Sequence, residues 1–310
     1  MATVVRSGRH DPVNLASTLH QNDTRPEKGR RLGIVAGAGR LPGEVAAAAV
    51  GSGREVFIVA LRGFAEPSVV QNLPHQYFRI GAVGTMIRSL RARGIADLVM
   101  VGAVRRPGLR ELRPDFECMR AIIRMGRGFF AGDDRLLSAV VRALGEHGFR
   151  VLGVHDVLGD ALAPAGVLTR AVPDNHDWDD IMRARTVAAA LGAADVGQGC
   201  VVQQGLVLAV EAIEGTDAML ARVRDLARPG RGGVLVKLVK PGPERRVDLP
   251  AIGPRTVANA AAAGLRGIAF SAGAALIAER SRTLADADAA GLFLVGLDAP
   301  DVVANPEESE

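Results

Sequence analysis

The sequence predicts an α/β protein made of two α/β domains, the first Rossmann-like with a mostly parallel sheet and the second a distinct mixed fold. Three observations predict it. Short apolar runs alternate with longer helical stretches between residues 31 and 154. Those runs are rich in Val, Ile and Leu with little polar alternation, the mark of strands covered on both faces. From 155 to 176 the periodicity gives way to prolines and turn residues, after which the alternation resumes, and 310 residues suit two domains.

Element by element, the apolar run Leu32 to Ala36 meets glycines, then a helical stretch with Pro42 in its first turn, then the run Val56 to Leu61. That is strand, glycine turn, helix, strand, a βαβ unit. "HQYFRI", the helix "VGTMIRSLRARG" and the strand "DLVMVGAV" continue it. The helices "DFECMRAIIRMGRGFF" and "DDRLLSAVVRALGEHG" lead to the strand "FRVLGV". Residues 155–176 read as a connection, and a helix follows from about Asp177 to Leu191. The second domain, 177–298, alternates strand and helix up to "GLFLVGL" and ends in a polar tail, 299–310. Residues 1–30 lack the apolar centre of a secretory signal and read as a disordered leader or the product of an early start codon.

Composition narrows the function. Hydrophobic residues make up 48% and charged residues 23%, as in a soluble globular protein. Aromatics are only 4%, so the cores are built from Ala, Val, Leu and Ile, and no stacking platform for nucleic acid is expected. The net charge of +4, from dispersed arginines, suits phosphates or an acidic membrane surface without choosing between them. Cys118 and Cys200 are far apart, which excludes a thiolate cage or a disulfide framework and suits a cytosolic location. No apolar run approaches the ~18 residues of a membrane span.

Several constellations can carry chemistry. "GAGRLP" (Gly37, Ala38, Gly39 onward) follows a strand and opens a helix, where bare backbone amides can cradle a phosphate. As a dinucleotide fingerprint it is defective, because Pro42 replaces the third glycine and the second strand ends in Leu61-Arg62 rather than an acid. Asp133 and Asp134 start a helix, either as cap and dipole partner or as a carboxylate facing a bound sugar or metal. His155 and Asp156 follow a strand end, as a site pair or a structural one. Gln203 and Gln204 interrupt an apolar run, so at least one should hydrogen-bond something buried or bound.

The acids are the stronger signal. Glu211, Glu214 and Asp217 flank a glycine turn with Thr216, and their convergence would need a cation or several donors, unless Thr216 and Asp217 merely serve the helix start. Lys28, Lys237 and Lys240 are the only lysines, and the last two straddle a strand end before the lone acid Asp248. Lysine is a compact point charge suited to a phosphate. The helix "RAIIRMGR" sets Arg120, Arg124 and Arg127 against Met119, Ile122, Ile123 and Phe130. It reads as packing on its own sheet or resting on anionic lipid.

Together "GIVAGAGRLP", "VGAVRRP", "GDDRLL", "VVQQGLVLAVEAIEGTDAML", "VLVKLVKP", "DLPAIGPRTV" and "ADAAGLFLVG" resemble the LpxI-type UDP-2,3-diacylglucosamine pyrophosphatases of lipid A biosynthesis. The resemblance runs in order from Arg31 to about Leu297. It implies a magnesium-supported (or other divalent cation) hydrolase that cuts UDP-2,3-diacylglucosamine to UMP and 2,3-diacylglucosamine 1-phosphate. It further implies that the lipid lies in a cleft between the domains, with the protein held peripherally on the cytoplasmic face of the inner membrane. Combined with the residues, this sets out the expected roles. Glu211, Glu214, Asp217 and Asp248 hold metal or orient water, and Lys237 and Lys240 stabilise phosphoryl charge. Asp248 is the leading catalytic group. Gly37, Ala38, Gly39, Asp133, Asp134, Gln203, Gln204 and Thr216 contact substrate. A homodimer stays open. The alternatives are a non-catalytic nucleotide-sugar or lipid-binding protein, or an NADP-dependent reductase using Arg62.

Overall fold

Five strands of the first half form one all-parallel sheet, in a computed structural model that describes residues 30–105, 112–125, 133–159, 162–241 and 249–298. The elements are β1 (Leu32–Ala36), α1 (Leu41–Gly51), β2 (Val56–Leu61), α2 (Pro67–Val70), β3 (His75–Phe78), α3 (Val83–Ala92), β4 (Asp97–Val101), α4 (Phe116–Met125), α5 (Asp133–Glu146), β5 (Arg150–Leu152) and α6 (Val154–Val157). Strand order is β3-β2-β1-β4-β5, the doubly wound arrangement. Both faces are dry, as the unalternated apolar runs require. Val56, Ile58 and Ala60 of β2 pack towards Val45, Ala46 and Ala49 of α1, while Phe57 and Val59 pack towards Ile87 and Leu90 of α3.

The amino-terminal ends of these strands are tied by charge. Asp97 is wholly buried and accepts from Arg54 Nη2 at 2.6 Å and from Arg150 Nε and Nη2 at 3.0 Å each. At the opposite, carboxyl-terminal end the order reverses between β1 and β4, the switch point where open sheets present their crevice.

The expected connection, 155–176, is shared between the halves. Val157, Leu158 and Leu162 pack on the first core, whereas Ala163 belongs to the second. The short strand β6 (Gly166–Val167) then joins the second sheet.

The second half continues with α7 (Asn175–Ala193), β7 (Gly199–Gln203), β8 (Leu206–Val210), α8 (Gly215–Leu226), β9 (Val234–Lys237), β10 (Ala251–Ile252), α9 (Pro254–Ala262), β11 (Gly267–Ser271), β12 (Leu276–Ile277), α10 (Arg280–Ala289) and β13 (Phe293–Leu297). Six strands make a mixed sheet in the order β6-β13-β11-β9-β7-β8, and β10 pairs with β12 in a parallel two-stranded ribbon. Helix α7 covers one face through Ile181, Ala184 and Ala188. Met219, Leu220 and Val223 of α8, with Val257 and Ala260 of α9, cover the other. Asp174 caps α7, and buried Asp177 beside it takes Arg266 in a forked pair.

The halves meet through both apolar and polar contacts. Leu249 and Leu276 from the second half pack on the first core. The Glu279 N–H donates to both carboxylate oxygens of Glu44 on α1, at 3.1 and 3.0 Å. Among the described residues no helix is long and apolar enough to cross a membrane.

Candidate functional site

A cleft of about 1340 Å³ opens between the two halves, at the carboxyl-terminal end of the first sheet. Its first-half wall includes Leu61, Ile87, Leu98 and Met100, and its second-half wall runs from Leu249 through Arg255. Most of the lining is apolar, with Arg40, Arg255, Arg282 and Lys240 among its cations, beside Arg120 and Arg124 of α4. Arg40 and Arg282 both face Glu279, at 3.7 and 3.2 Å, and Arg255 pairs with Asp217 at 2.8 Å. All three arginines are more than half exposed, so they remain open to an anionic ligand. Sequence reasoning missed Arg40 and Arg282. Arg40 was visible inside "GAGRLP", but nothing local marks Arg282.

The glycine loop reaches this cleft in a different role from the expected one. Ala38 and Gly39 line it. The amides, however, are already engaged: Gly37 N–H donates to Val101 O, Ala38 N–H to Ala103 O, and Gly39 N–H to Glu66 Oε1 at 3.1 Å. A Cβ on Gly37 would lie 2.6 Å from the Gly102 carbonyl oxygen, so glycine here lets two loop backbones touch. With its donors spent, the loop as it stands is a wall of the cleft rather than a ready phosphate cradle.

The acid–lysine constellation does assemble in part. Strand β9 delivers Lys237 at its carboxyl end, where it is 6% exposed. Its Nζ donates to Thr216 Oγ1 at 2.7 Å, and that hydroxyl donates to Glu211 Oε1 at 2.7 Å. Thr216 therefore links ammonium to carboxylate, in place of a helix cap. Ala251 O lies 3.5 Å from the same Nζ, and Ala251 lines the cleft, so Lys237 sits against the cleft wall. Lys240 lines the cleft directly and pairs with Asp195 at 3.0 Å.

Other expected residues stand elsewhere. Gln203 is buried at the opposite end of the sheet, giving Nε2 to the carbonyls of Arg228 and Arg231 and accepting from Arg228 N–H. Gln204 (φ 52°) and Gly205 (φ 76°) form the tight β7–β8 turn, and both their N–H groups are held by Asp180. The polar interruption of the apolar run thus fastens a loop and a hairpin, away from the cleft. Asp156 accepts from Gly153 N–H at 2.7 Å and holds its own turn. Asp133 and Asp134 begin α5, but their side chains fall outside the described residues, as does Asp248 altogether.

Among the described residues no group of three or more His, Cys, Asp or Glu forms a cation cage. The convergence expected of Glu211, Glu214 and Asp217 is undone by their neighbours. Glu214 pairs with Arg222, and backbone N–H donation followed by that pairing holds its carboxyl below the usual range, while Asp217 turns to Arg255 and Asn259. Glu211 alone keeps a buried oxygen, Oε2, without a partner. These carboxylates on their own do not fit a magnesium site.

A family model described as the LpxI N-terminal domain matches residues 31–161, and one described as the LpxI C-terminal domain matches residues 164–295. This chain belongs to the LpxI family. The seam between the two LpxI models falls where the chain leaves the first core at Leu162 and enters the second at Ala163. A relative from Caulobacter vibrioides, the UDP-2,3-diacylglucosamine pyrophosphatase LpxI, is 42% identical over 275 residues, covering 87% of this chain and 98% of that protein. Among solved structures, Bordetella bronchiseptica WbmG in complex with NAD and UDP is 18% identical with a TM-score of 0.27, covering 40% of this chain and 37% of that one. CobK precorrin-6A reductase is 16% identical with a TM-score of 0.33, covering 89% and 90%. Both are too remote to bear on ligand or mechanism.

Proposed function

We propose that this chain hydrolyses UDP-2,3-diacylglucosamine, adding water across the diphosphate to release UMP and 2,3-diacylglucosamine 1-phosphate, with a divalent cation. The observation that carries the reading is the cleft, whose apolar walls suit acyl chains and whose cations suit a diphosphate. The Caulobacter relative, similar along nearly its whole length, acts on the lipid its name states.

In this reading Lys237 and Lys240 stabilise charge building on the phosphoryl oxygens, the electrostatic contribution that dominates phosphoryl transfer. Thr216 fixes the Lys237 ammonium, and Glu211 fixes the Thr216 hydroxyl. Arg40, Arg255 and Arg282 bind the anionic head of the substrate. Ala38, Gly39 and the neighbouring walls exclude water from the acyl chains. Asp248 orients the attacking water or holds the cation. A cation there would neutralise the diphosphate. The protein works as a peripheral enzyme on the cytoplasmic face of the inner membrane.

Incubating the purified protein with UDP-2,3-diacylglucosamine should release UMP in magnesium, and EDTA should slow release at least ~100-fold. No UMP with any divalent cation overturns the hydrolase reading, and release indifferent to EDTA overturns the metal. Asp248→Ala should bind substrate yet lose turnover; near-normal turnover would remove Asp248 from the mechanism.

A further inference from the structure

Helix α4 separates the cleft from the outside and presents an unusual outer face. Residues three and four apart share a side of a helix. On that rule Phe116, Met119, Arg120, Ile123 and Arg124 should lie together, and all five are exposed. The sequence expectation that the arginines oppose the apolar residues is therefore corrected for Met119 and Ile123, while Arg127 and Phe130 lie outside the described residues. Cys118, Ala121 and Ile122 turn inward to line the cleft, Arg120 and Arg124 are exposed at its edge, and Phe116 (78% exposed), Met119 (44%) and Ile123 (72%) face out beside them.

This exposure is not fraying. Asp115 caps two helices at once: Oδ1 accepts from Cys118 N–H of α4, and Oδ2 accepts from Gly84 and Thr85 N–H of α3, at 2.8 and 3.2 Å. The helix is thus pinned to the sheet layer with its apolar stripe directed away from it. The stripe itself carries no carboxylate. Glu117 is half-buried on the cleft side, 4.0 Å from Arg120, and Glu146 meets Arg124 from α5 at 2.9 Å. Such exposed pairs are worth little and leave both guanidinium groups open to a further anion.

We propose that the outer face of α4 docks on an anionic lipid bilayer, with Phe116, Met119 and Ile123 entering the headgroup boundary and Arg120 and Arg124 meeting lipid phosphates. An exposed apolar stripe flanked by cations is the composition that binds in the plane of such an interface. A second copy of the chain fits less well, because a two-fold pairing of this face sets arginines against arginines. The inward face of the same helix borders the cleft, so docking sets the cleft mouth against the bilayer. This rests on the lipid-hydrolase reading only for its purpose, not for its geometry.

The test is sedimentation with vesicles of phosphatidylcholine alone or with a third phosphatidylglycerol, comparing the wild type with Phe116→Ser/Ile123→Ser. Neither residue lines the cleft. Wild-type protein should bind the anionic vesicles at least tenfold more strongly than the neutral ones. The double variant should lose at least tenfold in that binding, yet keep its circular dichroism spectrum, its mass in solution, and wild-type UMP release from detergent-dispersed substrate. Equal vesicle binding by variant and wild type overturns the proposal, as does a wild type indifferent to anionic lipid. A dimeric wild type that the double variant turns monomeric overturns it in favour of a self-association face. If neither protein releases UMP but the binding difference holds, docking stands and the hydrolase reading falls.

Discussion

Replacing Thr216 with valine keeps the side-chain volume and removes one hydroxyl. That hydroxyl makes two bonds of 2.7 Å, one to the buried ammonium of Lys237 and one to the carboxylate of Glu211. Hydrogen bonds to charged groups contribute about 1.5–3 kcal/mol each, so the gross loss is about 3–6 kcal/mol. Both charged groups lie within hydrogen-bond distance of the same oxygen, and a small shift lets them pair directly and recover part of this. We expect a net loss of about 2 kcal/mol, which for a protein of this size lowers Tm by about 3 °C. Displacing the ammonium should also cost turnover, about 10–100-fold in kcat with KM little changed, because misplacement by about an ångström has effects of that order. Thr216→Ser restores the bridging oxygen and should restore both quantities. The measurements are thermal unfolding and initial rates of UMP release. A valine variant within 0.5 kcal/mol of wild type with full kcat, or a serine variant as impaired as valine, would refute the relay.

Two further outcomes follow from charges remote from the cleft. Asp97→Asn leaves the Arg54 guanidinium, only 2% exposed, without its counter-charge; it should destabilise by about 3–5 kcal/mol in chemical denaturation while leaving kcat of the folded fraction intact. Burial alone would raise the Asp177 carboxyl, but hydrogen bonds from Arg266, the Asp174 N–H and Arg231 overcome it and hold the group below the ordinary range. Its stabilisation should be complete above the unfolded value of about 3.9 and vanish as pH falls through the lower folded one. Denaturation midpoints of wild type and Asp177→Asn should accordingly converge below about pH 4; curves that stay parallel to pH 2 would show that Asp177 carries no such dependence.

Much of the fold was legible because it rests on local patterns. Apolar runs such as Val56 to Leu61 fill strands buried on both faces, and their alternation with helices dictates the parallel sheet. The close pairing of the glycine loop with residues 102–103 was not legible, because the partner backbone lies more than sixty positions on. Gln203 shows the same limit. A polar residue in an apolar run announces a buried hydrogen bond, but the sequence could not say that its partners are loop carbonyls and not a ligand. On α4 the sequence reading sets Arg120 and Arg124 opposite Met119 and Ile123, whereas the structure leaves all four exposed together with Phe116.

What the amino-acid sequence determined by itself is the order of elements, the two-domain division and the family, all of which are written in neighbouring residues and in motifs that survive in order. The tertiary structure decided which charges meet. Glu211, Glu214 and Asp217 are close in sequence, yet each finds a different partner, because side chains a few positions apart around a turn leave in different directions. Lys237 meets Thr216 across twenty-one positions, and Asp97 gathers Arg54 from just before β2 and Arg150 from the start of β5. Hydrogen bonds are lost beyond about 3.5 Å, and exposed charges are screened over about 10 Å. They therefore depend on three-dimensional proximity, which the folded sheets supply and the linear order does not.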